Sequence, residues 1–346
     1  MPIFDADSIR TVALHRVGNS ATDEGFVLSH QPLQLDDQMQ DLLVQYFINP
    51  FKVEEYYHLC GDGDDRDTNE VYRRCRNIFD SQGEELFEES KAIAEYLYRQ
   101  STHPNIKGGD FFVVYFSKCQ LNGETMDAIG LFKSENKDTF LKVLYDDADY
   151  LLEPHLGINI HKLDKGALIF HSEEEKGYVV SVVDGTNRTE ATYWRDNFLH
   201  IEQRRDEYFH THEVMNAYKH FVTEALPEEY EVTRADQADM LNKSVEYFKQ
   251  NDSFDMDDFA RDVLQQPEVI DSFAQYRQKW EQDNDVQLEE QFDINESAVK
   301  KQARNFKSVI KLDKNFHIYV HGDRQLIEQG EDEKGKYYKV YYKEES

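Results

Sequence analysis

The stretch Asp110–Ser134, DFFVVYFSKCQLNGETMDAIGLFKS, decides the fold class. Two apolar runs flank Asn122-Gly123. Asn-Gly in that setting is the strongest short hairpin signal, because a tight two-residue turn needs positive φ at both positions. Working outward, TFLKVLYD, GINIHKL, GALIFHS and GYVVSVVDG follow at regular spacing, with LDKG and EEEKG as turn-like separators. They predict an antiparallel meander from about residue 110 to 184, half covered by helices.

Upstream, SIRTVALHRV alternates as a strand, and FVLSH after the NSATDEG turn is its expected partner. From Asp36, Met39, Leu42, Leu43 and Phe47 recur at helical steps until Asn49-Pro50. CGDGDDRDTNE has the composition of a solvated loop feeding a helix. Its Gly61 and Gly63 do not make a dinucleotide loop, since position 66 is Arg. It fits no EF-hand register either: counting from Asp62 places Arg66 at the fifth position, and counting from Asp65 places Glu70 where glycine is required. EELFEESKAIAEYLYRQ then reads as an amphipathic helix with Leu86, Ile93 and Leu97 on one stripe.

Past Asp184-Gly185 the texture becomes mostly helical. Val214, Tyr218, Phe221, Val222 and Ala225 form one apolar stripe. Thr233 and Asp236 imitate a capping box ahead of Leu241, Val245 and Phe248. Pro267 suits the first turn of a helix carrying Val269, Ile270, Phe273, Tyr276 and Trp280. The end of the chain reads as a short helix and strands. The expected class is therefore α+β: an N-terminal antiparallel sheet with helices, a helical middle region and a small C-terminal β element. The expected domains are 1–185, 186–298 and 299–346.

The formal net charge is −30 over 346 residues. It is distributed as −19 up to residue 226, −14 over 227–299 and +3 over 300–346. Such a field repels phosphate at long range, so nucleic-acid contact would have to come from a local patch. The basic run KKQARNFKSVIKLDKNFHIYVHGDR from Lys300 is that patch, with seven Lys/Arg against two acids. No apolar run reaches the ~18 residues of a membrane span, and the N-terminus lacks a leader pattern, which points to the cytosol. Cys60, Cys75 and Cys119 are odd in number and far apart, and read as buried or idle thiols.

No catalytic signature is present: no G-x-S-x-G elbow and no Walker A loop. The strongest metal-like grouping is Asp206, His210, His212, Glu213 and His220. On a helix, His210 and His212 point about 200° apart, and H-E-x-x-H is absent. A metal-dependent hydrolase is therefore only a weak alternative. His155, His161 and His171 lie in or beside the meander. The chain is expected not to be an enzyme and to hold no cofactor or metal.

TYWRDNFLHIEQRRDEYFHTHEVMNAYKHFV, FDMDDFARDVLQQPEVIDSFAQYRQKW and FDINESAVKKQARNFKSVIKLDKNFHIYV, with INIHKLDKGALIF earlier, closely resemble the bacterial nucleoid-associated protein family found with the compacted chromosome. The resemblance implies a cytoplasmic, nucleoid-located protein that binds double-stranded DNA, some members also engaging type II topoisomerases. It carries over no functional residues. The basic run itself supplies the candidate DNA contacts: Lys300, Lys301, Arg304, Lys307, Lys311 and Lys314. The first four step at three or four residues if the helix extends that far, and about four phosphate contacts would give a salt slope near −3.6. The alternative is an acidic interaction module that contacts a type II topoisomerase or another nucleoid protein without touching DNA. KYYKVYYK near the C-terminus would serve as an edge strand for a homodimer.

Overall fold

The computed structural model describes residues 2–4, 8–63, 65–146, 149–185, 193–306, 309–312, 316–319 and 326–342, and the backbone alone at 146, 309 and 311. The chain divides into two units, Met1–Arg204 and Arg205–Ser346.

The first unit contains, in chain order, β1 (Ile9–Val17), β2 (Phe26–Val27), α1 (Asp37–Ile48), β3 (Tyr56–Leu59), α2 (Glu70–Asp80) and α3 (Leu86–Gln100). There follow β4 (Gly109–Leu121), β5 (Glu124–Ser134), β6 (Asp138–Asp146), β7 (Asp149–Gly157), β8 (Lys165–Phe170), β9 (Val179–Asp184), a π-helical turn (Tyr193–Leu199) and β10 (Ile201–Gln203). The Asn-Gly hairpin forms as expected. Asn122 and Gly123 take φ of 51° and 84°, and β4 and β5 pair from Leu121↔Glu124 to Asp110↔Ser134.

Eight strands make one antiparallel sheet in the order β10-β3-β9-β8-β5-β4-β1-β2. Two expectations are corrected here. First, the meander is interrupted. β5 pairs directly with β8, and β6 and β7 form a separate two-stranded ribbon. The segment read as the strand GINIHKL ends β7 at Gly157 and then turns without pairing. The physical reason is that β6 and β7 satisfy each other's backbone over nine residue pairs, so neither needs the main sheet.

Second, the sheet is covered on both faces. Phe111, Val113, Ile129, Leu131 and Ile169 meet α2, α3 and Trp194. Phe112, Val114, Phe132 and Leu168 meet Tyr46 and Phe47 of α1. Phe47 stacks on Phe132 with centroids 4.1 Å apart. Burial on both faces explains why FFVVYF is a continuous apolar run rather than an alternating one.

β10 was missed because its residues fall in a segment whose composition reads as helix. Asn69 anchors this edge. Its side-chain amide donates to Cys60 O (2.8 Å) and Leu199 O (2.9 Å), while its carbonyl caps α2 through Tyr72 N (3.0 Å). Gly177 packs where a Cβ would lie 2.0 Å from Leu59 O, at φ 107°, so glycine is required beside β3.

The second unit is built on α4 (Glu207–His220), continued by a wider π turn (Phe221–Ala225) and α5 (Leu226–Glu229). Then come α6 (Arg234–Gln250), β11 (Ser253–Asp255), α7 (Met256–Phe259), a π turn (Ala260–Leu264), α8 (Pro267–Asn284), β12 (Gln291–Asp293) and α9 (Glu296–Ala303). Thr233 and Asp236 make the expected reciprocal capping box, and Pro267 opens α8. Tyr218, Phe221, Phe248, Phe259 and Phe273 fill the core. Two hairpins end the chain, β13 (Val309–Lys311) with β14 (His317–Tyr319) and β15 (Ile327–Asp332) with β16 (Gly335–Val340). Ile310 and Ile327 seat them on Ala235 and Ala238 of α6.

Candidate nucleic-acid interface

α9 positions the candidate cations. Asn295 caps it by accepting from Ala298 N (3.0 Å), and Asn295 N donates to the buried Thr211 Oγ1 of α4 (3.0 Å). Ala298, Val299 and Gln302 are buried. Lys300, Lys301 and Arg304 are therefore left on the outward side and are exposed. Lys300 and Lys301 occupy the last turn, where cations oppose the partial negative charge of the helix end. Lys300 Nζ lies 2.8 Å from Glu296 Oε2 in an exposed i,i+4 pair, which solvent screening leaves with little effect on stability. It lowers the Glu296 pKa below the usual carboxylate value, through its hydrogen bond and then its charge. Lys301 Nζ stands 5.6 Å from the centre of the Tyr208 ring.

The helix stops at Ala303, so the expected ridge ends at Arg304, its C-cap. Lys311 lies in β13, and nothing is described of its side chain. Lys307 and Lys314 lie outside the described residues. A cavity of about 600 Å³ adjoins Lys300, with Lys249 on its wall beside Asp252, Asp293 and Glu296. The basic face is thus bordered by acids.

The metal-like grouping does not converge. Asp206 is the N-cap of α4, accepting from Phe209 N (3.1 Å). His212 Nδ1 meets its neighbour Glu213 at 3.0 Å, and His220 meets Glu224 at 3.0 Å. His210 lies beside Phe292, centroids 5.7 Å apart. Among the described residues no three His, Cys, Asp or Glu side chains are placed to hold a metal ion. In the first unit, His155 pairs with Glu153 on the ribbon and His171 stacks on Phe79. Burial raises the Cys60 thiol to about 11 and the Cys119 thiol to about 12, so both stay protonated at neutral pH.

Two polar constellations escaped the sequence reading. His15 Nε2 lies 2.8 Å from Ser90 Oγ, a spacing suited to a nucleophile and its base. Ser90 Oγ, however, donates to Phe87 O (2.7 Å), and His15 Nδ1 accepts from Ser29 N (3.2 Å). The imidazole therefore presents N–H to the serine and cannot take its proton. Burial, reinforced by Lys91, lowers the His15 pKa to about 4.

The other constellation is ionic. Lys133 of β5 and Lys165 of β8 are cross-strand neighbours with side chains 0% and 1% exposed. Glu135 lies 3.1 Å from Lys133, and Asp184 lies 3.0 Å from Lys165. The Tyr193 ring stands 5.5 Å from the Lys133 ammonium and 4.9 Å from that of Lys165. Burial lowers the Lys133 pKa, and Glu135 opposes that shift. Enclosed this way, the cluster offers no surface to a substrate.

A family model described as nucleoid-associated protein YejK matches residues 13–335. The chain belongs to this family. The match opens within β1 and closes at the β15–β16 turn, so it spans both units and includes all six candidate cations. The family is described as nucleoid-associated. No curated protein and no solved structure matches. No helix among the described residues is long and apolar enough to cross a membrane.

Proposed function

We propose that the chain is a cytoplasmic nucleoid protein that contacts double-stranded DNA, without strong sequence preference, through the cations at the end of α9. The observation that carries this reading is the joint exposure of Lys300, Lys301 and Arg304 on a helix whose other face is buried. Three cations outweigh the roughly half negative charge of a helix C-terminus. The chain's net charge of −30 opposes approach. At physiological salt that opposition is screened beyond about 8 Å, whereas contacts at the patch itself are not. Phosphate contact of this kind releases counterions and reads no bases.

Fluorescence anisotropy with a duplex at two salt concentrations tests it. Three contacts give a log–log slope of about −2.7, and all six candidates would give about −5.4. Unchanged affinity after combining Lys300→Gln, Lys301→Gln and Arg304→Gln refutes the assignment.

A second reading rests on the acidic helices, which carry −14 over 227–299. Glu224, Glu228, Glu229 and Asp283 line one groove there, and such a surface attracts a basic partner such as a type II topoisomerase or another DNA-bound protein. A pull-down from nuclease-treated lysate separates the two. Partners that vanish with the DNA exclude the second reading.

A further inference from the structure

The β6–β7 ribbon is amphipathic in a way the rest of the first unit does not explain. Its register places Leu141, Val143, Tyr145, Tyr150, Leu152 and Leu156 on one face, with Thr139 and Pro154 completing it. No residue of that face carries a charge. The opposite face holds every charge of the ribbon, with Asp138, Lys142, Asp149, Glu153 and His155 interspersed among Phe140, Leu144 and Leu151. One wholly uncharged face backed by a face that carries all the charges belongs to a strand pair with one buried side. Yet the six large apolar side chains are 61–75% exposed, and none joins a described hydrophobic cluster. A lone two-stranded ribbon is at best marginally stable in water, so this face needs a cover.

We infer that a second copy of this chain covers it, the two ribbons packing apolar face to apolar face about a two-fold axis. Area favours this occupant. Six such side chains at that exposure present on the order of 800 Å² per copy, and doubling this matches the ~1,600 Å² of a standard stable interface. The chemistry favours it as well. An uncharged face offers no charge to pair with phosphate or with a basic peptide, whereas an isologous contact requires only that the patch complement itself. Each edge of the ribbon remains outside the contact, and Pro154 removes one donor from β7. Face packing therefore does not invite open-ended strand addition. This surface is separate from β16, the strand that sequence alone suggested for pairing.

The charge adds a sign. Two copies at −30 repel each other, so salt tightens this association, the reverse of its effect on a phosphate contact.

Sedimentation equilibrium of the full chain at low and high salt is the test, beside a variant combining Leu141→Lys with Leu152→Lys. The expected result is a dimer that strengthens with salt, and a dissociation constant raised roughly 100-fold or more in the variant. Circular dichroism identical to the parent excludes misfolding. Independently, Val143→Cys treated with a short bis-maleimide should give a covalent dimer. A monomeric parent at tens of micromolar, a variant that dimerises as well as the parent, association weakened by salt, or no cross-link at position 143 would each overturn the inference. A monomer would also mean that the face is covered by another protein or by the chain itself.

Discussion

Acidification should weaken the first unit through one histidine. His15 is 2% exposed between β1 and α3, with its ring nitrogens used by Ser90 and Ser29. Its folded pKa is about 4 against 6.5 unfolded. Because the folded value is the lower one, the unfolded chain binds more protons between the two. Stability from this group is fully present above pH 6.5 and drains away as pH falls towards 4. Between pH 7.5 and 5 the linkage amounts to about 2 kcal/mol. Urea unfolding at both pH values measures it. With Trp280→Phe in the background, fluorescence of Trp194 reports the first unit alone, since Trp194 belongs to its core. The comparison is with His15→Gln, which keeps a donor towards Ser90 and cancels any pH dependence that the rest of the chain contributes. The parent should lose about 2 kcal/mol more than the variant on acidification. Equal losses would refute the reasoning, showing that the folded protein protonates His15 as readily as the unfolded chain does.

Other perturbations follow from the same geometry. Lys133→Met leaves Glu135 buried without its cation and should cost about 3–5 kcal/mol, while adding Glu135→Leu should recover much of that, both by urea midpoint. Asn69→Ala removes the α2 cap and the ties to Cys60 and Leu199, and about 2 kcal/mol of first-unit stability should go with them. Thr233→Ala breaks the capping box of α6 and should cost about 1 kcal/mol, read by thermal unfolding of the second unit. Gly177→Ala forces a Cβ against Leu59 O and should abolish soluble expression or lower the midpoint steeply.

The features legible in the sequence are the local ones. Asn122-Gly123, the Thr233 capping box and Pro267 each fix φ or satisfy backbone donors within a few residues, so their neighbours suffice to read them. The features that were not legible depend on distant partners. Ile201–Gln203 is too short to show a period, and it becomes a strand only because Tyr57–Leu59 offers an edge. TFLKVLYD looks like any other strand of the meander, and its separation from the sheet follows from a choice of partner that composition does not encode. Lys133 and Lys165 look like surface residues until burial on both sides of the sheet encloses them. At the candidate site, the cations were visible as composition. Their shared exposure depends on Ala298, Val299 and Gln302 facing inward, and the seat of Lys301 over Tyr208 joins residues nearly a hundred positions apart.

The place of β3 in the sheet has a consequence for synthesis. Tyr56–Leu59 is held between β9 and β10, and both are made more than a hundred residues later. At translation speeds of about 5–20 residues per second, this segment waits roughly 6–25 s with neither neighbour available. Its tyrosines and leucine, buried in the finished protein, are exposed throughout that interval, and its backbone is an open template for any passing strand. The nascent chain is therefore most in need of protection from other chains between the emergence of Leu59 and that of Gln203, and a ribosome stalled within this window would hold its most aggregation-prone form.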